Sequence, residues 1–244
     1  MKAGFHYRPF SLFIYGKLPF AAPSLYAIMK KTIYNKYDKR LIGQLPPVVF
    51  GGKIVVVLSA DEADRAVDYL LSQPLLGVDT ETRPAFKKGV HHTVSLLQVS
   101  SHDVCFLFRL KHTGMCSSII HLLEDKTVPK VGLSLHDDLL MLHHVAAFTP
   151  GLFIDLQHHV SEIGVEDMSL QKLYANFFGR KISKGQRLTN WDADILTEKQ
   201  KQYAATDAWT CIRLYEELQR LEATGDYELI TAEEENDHVK ANIS

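Results

Sequence analysis

The sequence predicts an α/β layer architecture, with a sheet-forming N-terminal half closed by a helical C-terminal half. Three observations point to it. Short apolar and β-branched runs cluster between residues 54 and 156, with helical patterns interleaved. Beyond residue 156 the pattern turns helical, at 156–163, 169–178 and 197–221. Capping-box pairs, Ser59 with Glu62 and Thr197 with Gln200, mark two helix starts.

The elements follow in order. Residues 30–47 are polar and basic, end in Pro46-Pro47, and read as an irregular lead-in. A β-rich run covers 54–58, and the Ser59 box opens a helix to about Ser72. The unbroken apolar start of LLGVDTET makes 75–81 a buried strand, stopped by Pro84. Strands are expected at 93–99 and 104–110, and a short helix at 115–123. A strand at 130–135, a helix at 137–145 and a last strand at 153–156 precede the helical part. The end, TAEEENDHVKANIS, reads as a frayed polar tail. The expected division is an irregular or disordered arm over 1–47, one globular domain over 48–222 and a polar tail over 223–244. No repeat or low-complexity tract interrupts it.

Composition narrows the function. The 244 residues are 46% hydrophobic and 23% charged, enough for one domain with a real core. The net charge of −2 provides no global basic field, so any nucleic-acid binding must come from a local patch. Cys105, Cys116 and Cys211 have no CxxC or zinc spacing, and predict a reducing, cytoplasmic setting. The pairs His91-His92, His143-His144 and His158-His159 read as surface or loop histidines without metal partners. Residues 1–28 hold three bases and no acid. Their apolar stretch is cut by Lys17, Pro19 and Pro23, too short and broken for a bilayer, so no membrane association is expected. This segment reads as an extension ahead of an alternative start at Met29, or as a disordered arm.

Several acids stand where charge is costly. Asp79 and Glu81 are two apart on a strand, so both point to one face. Charge at the end of a buried strand asks for a partner or a metal, although a strand running into a polar turn gives the same pattern. Tyr203 and Asp207, in QKQYAATDAW, are four apart and share one helix face. A core tyrosine beside an exposed acid fits equally. Asp138, in KVGLSLHDD, follows a strand and opens a helix, where an aspartate also serves as a cap. Clustered acids without cysteine suit hard cations such as Mg²⁺ or Mn²⁺.

Taken together, GVDTET, KVGLSLHDD and LTNWDADILTEKQKQYAATDAWTCIRLYEEL resemble the DEDD superfamily of 3′→5′ exonucleases, in its tyrosine (DEDDy) branch. That branch includes ribonuclease D and the Werner-syndrome-type exonuclease domain. The similarity spans about residues 50–220, and YAATDA is its most specific piece. It implies a ribonuclease-H-like fold, a mixed sheet flanked by helices. It implies that Asp79, Glu81, Asp138 and Asp207 ligate two divalent cations, Mg²⁺ or Mn²⁺, and that Tyr203 orients the attacking water. Asp138 keeps the spacing from Lys130 and Gly132, with Asp137 as the fallback. The implied reaction releases nucleoside 5′-monophosphates from single-stranded 3′ ends or the 3′ termini of duplexes. LTNW followed by YAATDAW leans toward the Werner-type DNA enzymes. With no room for a helicase or accessory module, a stand-alone nuclease domain is expected. The competing readings are a catalytically silent nucleic-acid-binding relative and a scaffold outside nucleic-acid biology.

Two stretches bear on substrate. Residues 168–191 contain no acid but include Lys172, Arg180, Lys181, Lys184 and Arg187, of which Lys184 and Arg187 are expected to grip the phosphate backbone. A solvated helix face is the alternative. The strand over 92–100 corresponds to the family strand beside the active site. Leu96, Leu97 or Gln98 are its candidates to touch the terminal nucleotide, and Leu97 is the residue chosen. Trp191 is either a core anchor or a stacking platform.

Overall fold

The computed structural model describes residues 30–231. The N-terminal segment over 1–28 therefore lies outside the described residues. The chain runs β1 (Lys31–Tyr34), α1 (Lys39–Ile42), β2 (Lys53–Val57), α2 (Ala60–Leu70), β3 (Leu76–Thr82), β4 (Val94–Ser100) and β5 (Val104–Arg109). It continues with α3 (Leu110–Thr113), α4 (Ser117–Glu124), β6 (Lys130–Gly132), α5 (Leu135–His143), β7 (Phe153–Asp155) and α6 (Leu156–Glu162). It ends with α7 (Leu170–Phe178), α8 (Glu198–Thr224) and β8 (Tyr227–Ile230).

Six strands form one mixed sheet in the order β2-β5-β4-β3-β6-β7. The central β3, β4 and β5 pair antiparallel, while β2 joins β5, and β6 and β7 extend from β3, in parallel. One face buries Val78, Leu97, Val99 and Phe108 against Val67, Leu70, Leu122 and Leu142 of α2, α4 and α5. The other face is covered by α8, with α6 and α7 beside it. This is the mixed, helix-flanked sheet of the ribonuclease-H-like fold.

Both predicted helix starts are made. Ser59 Oγ accepts from the Glu62 amide at 3.3 Å, and Glu62 reaches back to the Leu58 amide at 2.7 Å. Thr197 and Gln200 exchange bonds of 3.0 and 3.2 Å at the head of α8, and Gly225 ends that helix in the left-handed region. Gly77 permits the closest approach of the two layers. A Cβ there would lie 1.9 Å from the Ala208 carbonyl oxygen, so α8 rests directly on the backbone of β3.

The boundaries between β6 and α5 differ from the sequence reading. The strand expected over 130–135 ends at Gly132, and the helix expected from 137 begins at Leu135. Ser134, at φ 63°, turns the chain out of the sheet. Its amide and that of Leu135 then donate to Asp155 at 3.0 and 2.8 Å, which fixes the helix start early.

The lead-in and the tail also hold more structure than expected. β1 and β8 form a separate two-stranded parallel sheet. Ile33 is fully buried in the core beside α7 and α8. Asn176 of α7 clasps the β1 backbone, accepting from the Tyr34 amide at 2.9 Å and donating to its carbonyl at 2.7 Å. Each strand has four residues, too short for a pattern, and its stability comes from partners more than a hundred residues away.

Candidate active site

β3 carries Asp79 and Glu81 on the face turned to α8. The register pairs Asp79 with Gln98 and Glu81 with Leu96, so those four side chains share that face. Across from them, Tyr203 and Asp207 occupy successive turns of α8. Each of Asp79, Glu81 and Asp207 offers a carboxylate oxygen, and these atoms all lie within 4.8 Å of one another. Glu81, Asp207 and Tyr203 are buried.

Asp138 reaches the group from the first turn of α5. It accepts a short hydrogen bond from the Thr80 hydroxyl, and its charge acts on Asp79. Asp137 points to solvent and pairs with His136 at 3.2 Å. Asp138, not Asp137, is thus the second-motif acid that faces the cluster. Asp155 anchors the turn that delivers it.

Four acids so close resist ionising together. Asp79 is held well above the usual carboxylate range, first by burial and then by the charges of Asp138, Asp207 and Glu81. Burial, Asp207 and Asp138 push Glu81 up to about 9, against the pull of Arg187. Burial lifts Asp207 to about 7, opposed by the Tyr203 hydroxyl and the Lys184 ammonium. Burial lifts Asp138 to about 6, opposed by the Thr80 hydroxyl. Burial and the facing acids raise the Tyr203 phenol far above its ordinary value, so it stays protonated.

These residues fit divalent cations. Asp207 Oδ1 is buried with no hydrogen-bond partner. A buried anionic oxygen left unpaired is costly, and a cation shared with Asp79 and Glu81 would satisfy it. The donor set is all oxygen, which suits a hard ion such as Mg²⁺ or Mn²⁺.

Lys184 and Arg187 lie in the loop between α7 and α8, within its acid-free part. Their charges act on Asp207 and Glu81 respectively, so both stand at the rim of the carboxylate group. Leu97 does not. It is 1% exposed and packs with Val78 and Val99 on the opposite face of the sheet. The strand period of two puts Leu96 and Gln98 on the carboxylate side instead, so the substrate contact expected of Leu97 is corrected. Trp191 is fully buried, with its ring 6.0 Å from that of Tyr203, and acts as a core anchor.

The sequence reading missed the parts played by Thr80 and Asp155, and named Gln98 only as an alternative to Leu97. Gln98 is fully buried and neither of its amide atoms has a partner. A glutamine in the wholly buried strand VSLLQVS was a usable signal. The contacts of Thr80 and Asp155 span 58 and about 20 residues and leave no local trace. A second group, His159 with Glu162 and Glu222, gathers on the surface between α6 and α8. Glu162 stands three residues after His159 and Glu222 comes from a distant helix, so the expectation that none of these histidines has a metal-site partner at helical spacing is not met for His159. The contacts from His159 Nδ1 are 3.9 Å to Glu162 and 3.4 Å to Glu222.

Comparison with known proteins bears on the same residues. The family model described as "3'-5' exonuclease" matches residues 54–221. A 3'-5' exonuclease of Arabidopsis thaliana is 30% identical over 213 residues, covering 80% of this chain and 74% of the relative. The mouse bifunctional 3'-5' exonuclease/ATP-dependent helicase WRN is 29% identical over 202 residues. The match covers 79% of this chain but 14% of that larger protein. Among solved structures, Escherichia coli RNase D, an exoribonuclease involved in structured RNA processing, superposes with a TM-score of 0.63. That match has 22% identity over 72% of this chain and 46% of the other, a likeness of fold.

Proposed function

The chain belongs to the 3'-5' exonuclease family and is a nuclease; from that premise we propose that it removes nucleoside 5′-monophosphates from 3′ ends with the help of two divalent cations, Mg²⁺ or Mn²⁺. The observation that carries this reading is the gathering of Asp79, Glu81 and Asp207 within 4.8 Å beneath Tyr203. Cations bound there would activate water and stabilise the leaving oxygen. Asp79, Glu81 and Asp207 would hold them, with Asp138 supporting from the α5 side. The protonated Tyr203 hydroxyl, fixed by Trp191 and by the α8 face it shares with Asp207, would hydrogen-bond the attacking water and aim it in line at the phosphorus. Lys184 and Arg187 would meet the scissile and neighbouring phosphates and offset the acids.

The retained acids and Tyr203 weigh against a catalytically silent binding module. The Werner-type flavour of LTNW and YAATDAW favours DNA over RNA as substrate. The test is degradation of 5′-labelled deoxy- and ribo-oligonucleotides with Mg²⁺, Mn²⁺ or EDTA. Stepwise shortening from the 3′ end, abolished by EDTA and faster on DNA, is expected. Mononucleotide release that persists in EDTA would overturn the metal-dependent reading.

A further inference from the structure

Beyond Glu81 the chain leaves the sheet through a loop that nothing in the catalytic scheme uses. From Thr82 to His102 it contains no acid, yet it includes Arg83, Lys87 and Lys88. A second acid-free stretch, 168–191, carries Lys184 and Arg187. These segments are about a hundred residues apart, and in this nearly neutral chain they meet at one cleft of about 390 Å³. Arg83, Phe86, Lys87 and His92 form one wall, and Leu188 and Asn190 the other.

Along the chain, both walls of the cleft adjoin residues of the carboxylate group. Arg83 lies two residues beyond Glu81, and Leu188 directly follows Arg187, whose charge acts on Glu81. Among the described residues, Arg83, Lys87 and Arg187 make no ion pair with any acid. Phe86 is 82% exposed, and it is the only phenylalanine, tyrosine or tryptophan in the exposed class among the described residues. Every other phenylalanine, tyrosine and tryptophan ring among the described residues is at least partly packed. An aromatic face held in solvent between unpaired cations, beside a phosphodiester-cleaving centre, matches the chemistry of a single nucleic-acid strand. Bases stack on the ring and phosphates meet the cations.

Resting on the exonuclease reading above, we propose that this cleft carries the substrate strand on the 5′ side of the scissile phosphate. Phe86 stacks on a base a few nucleotides from the 3′ end, and Arg83 and Lys87 hold the adjoining backbone. Stacking is indifferent to base identity, so the cleft selects for a stretch of unpaired strand rather than for sequence. It acts in binding and leaves the chemical step to the carboxylates.

The experiment compares wild type with Phe86→Ala, Phe86→Leu and Phe86→Trp on a dinucleotide and on a single strand of about ten nucleotides. Phe86→Ala is expected to raise KM on the longer strand roughly ten-fold, with little change in kcat. The effect on the dinucleotide, too short to reach the cleft, should be under about two-fold. Tryptophan should restore the longer substrate, and leucine should not. In EDTA, where the strand stays intact, 2-aminopurine placed a few nucleotides from the 3′ end should be quenched by wild type and not by Phe86→Leu. Arg83→Ala and Lys87→Ala should each flatten the salt dependence of binding by about one unit of slope. An unchanged KM on the longer strand, an equal rise on the dinucleotide, or rescue by leucine overturns the proposal. If wild type binds and quenches but releases no mononucleotide, the exonuclease reading falls and the strand path stands. If it releases mononucleotides with Phe86 irrelevant, the strand path falls alone.

Discussion

The carboxylate cluster sets an expected relation between pH, metal and stability. Lifting Glu81 from 4.5 to about 9 corresponds to roughly 6 kcal/mol against its charged form, and lifting Asp207 from 3.8 to about 7 to roughly 4 kcal/mol. The same repulsion is counted in both figures, so the cluster as a whole carries a penalty of roughly 4–6 kcal/mol, not their sum. The direction follows from linkage. Between the ordinary carboxylate range and about 9, the folded protein binds more protons than the unfolded chain, so stability is greatest at low pH and falls as pH rises through that window. In EDTA, the melting temperature is therefore expected to drop between about pH 5.5 and pH 8.5, on the order of 10 °C for a domain of this size. Mn²⁺ or Mg²⁺ should cancel the drop, with the largest gain at high pH, because cations bind the ionised acids and displace their protons. Asp207→Asn removes one buried charge, so it should melt above wild type at pH 8.5 in EDTA and gain little from Mn²⁺. Differential scanning fluorimetry across the pH series reads all three. A wild-type melting temperature in EDTA that is flat or rises with pH, relative to Asp207→Asn, would refute the reasoning.

Further outcomes are expected elsewhere in the site. Tyr203→Phe should lower kcat by about two orders of magnitude while keeping the Mn²⁺-induced rise in melting temperature, since only the hydroxyl is lost; a wild-type rate would make Tyr203 a packing residue. Replacing Lys184 and Arg187 together with alanine should raise KM more than it lowers kcat and flatten the salt dependence of binding by about two units of slope; unchanged affinity and slope would return the loop to a solvated surface. Gly77→Ala would press a methyl group against the Ala208 carbonyl, so it should cost about 2 kcal/mol or more and weaken the response to Mn²⁺, because α8 must move off β3. A variant with wild-type melting temperature and activity would show that the helix–strand contact tolerates the displacement.

What was legible in the sequence was what short-range rules control. The capping pairs fixed the starts of α2 and α8 because each is closed within four residues. The spacing of Asp79 with Glu81, and of Tyr203 with Asp207, assigned each pair to one face because strand and helix periods are rigid. The choice of Leu97 failed on that same rule. The register places Thr80 opposite Leu97 and Asp79 opposite Gln98, so the odd-numbered residues of β3 face the even-numbered residues of β4. An acid at 79 or 81 therefore never shares a face with position 97, but the pairing that decides this is not written in either strand alone. The β1–β8 sheet escaped for a related reason, since its stability comes from Asn176 and from the core beside Ile33.

The cluster is assembled from β3, α5 and α8, and its repulsion would drive those elements apart if they were loosely held. Three contacts oppose this. The absence of a side chain at Gly77 lets α8 lie on the β3 backbone, Asp155 fixes the turn into α5, and the buried Trp191 backs Tyr203. None of the three touches the reacting atoms. Each holds an acid or the tyrosine where ionisation is unfavourable until a cation arrives, so the geometry for catalysis is prepared by packing rather than by attraction within the site. Substitutions at Gly77 or Asp155 should thus lose metal response in proportion to lost packing, whereas Tyr203→Phe should separate the two.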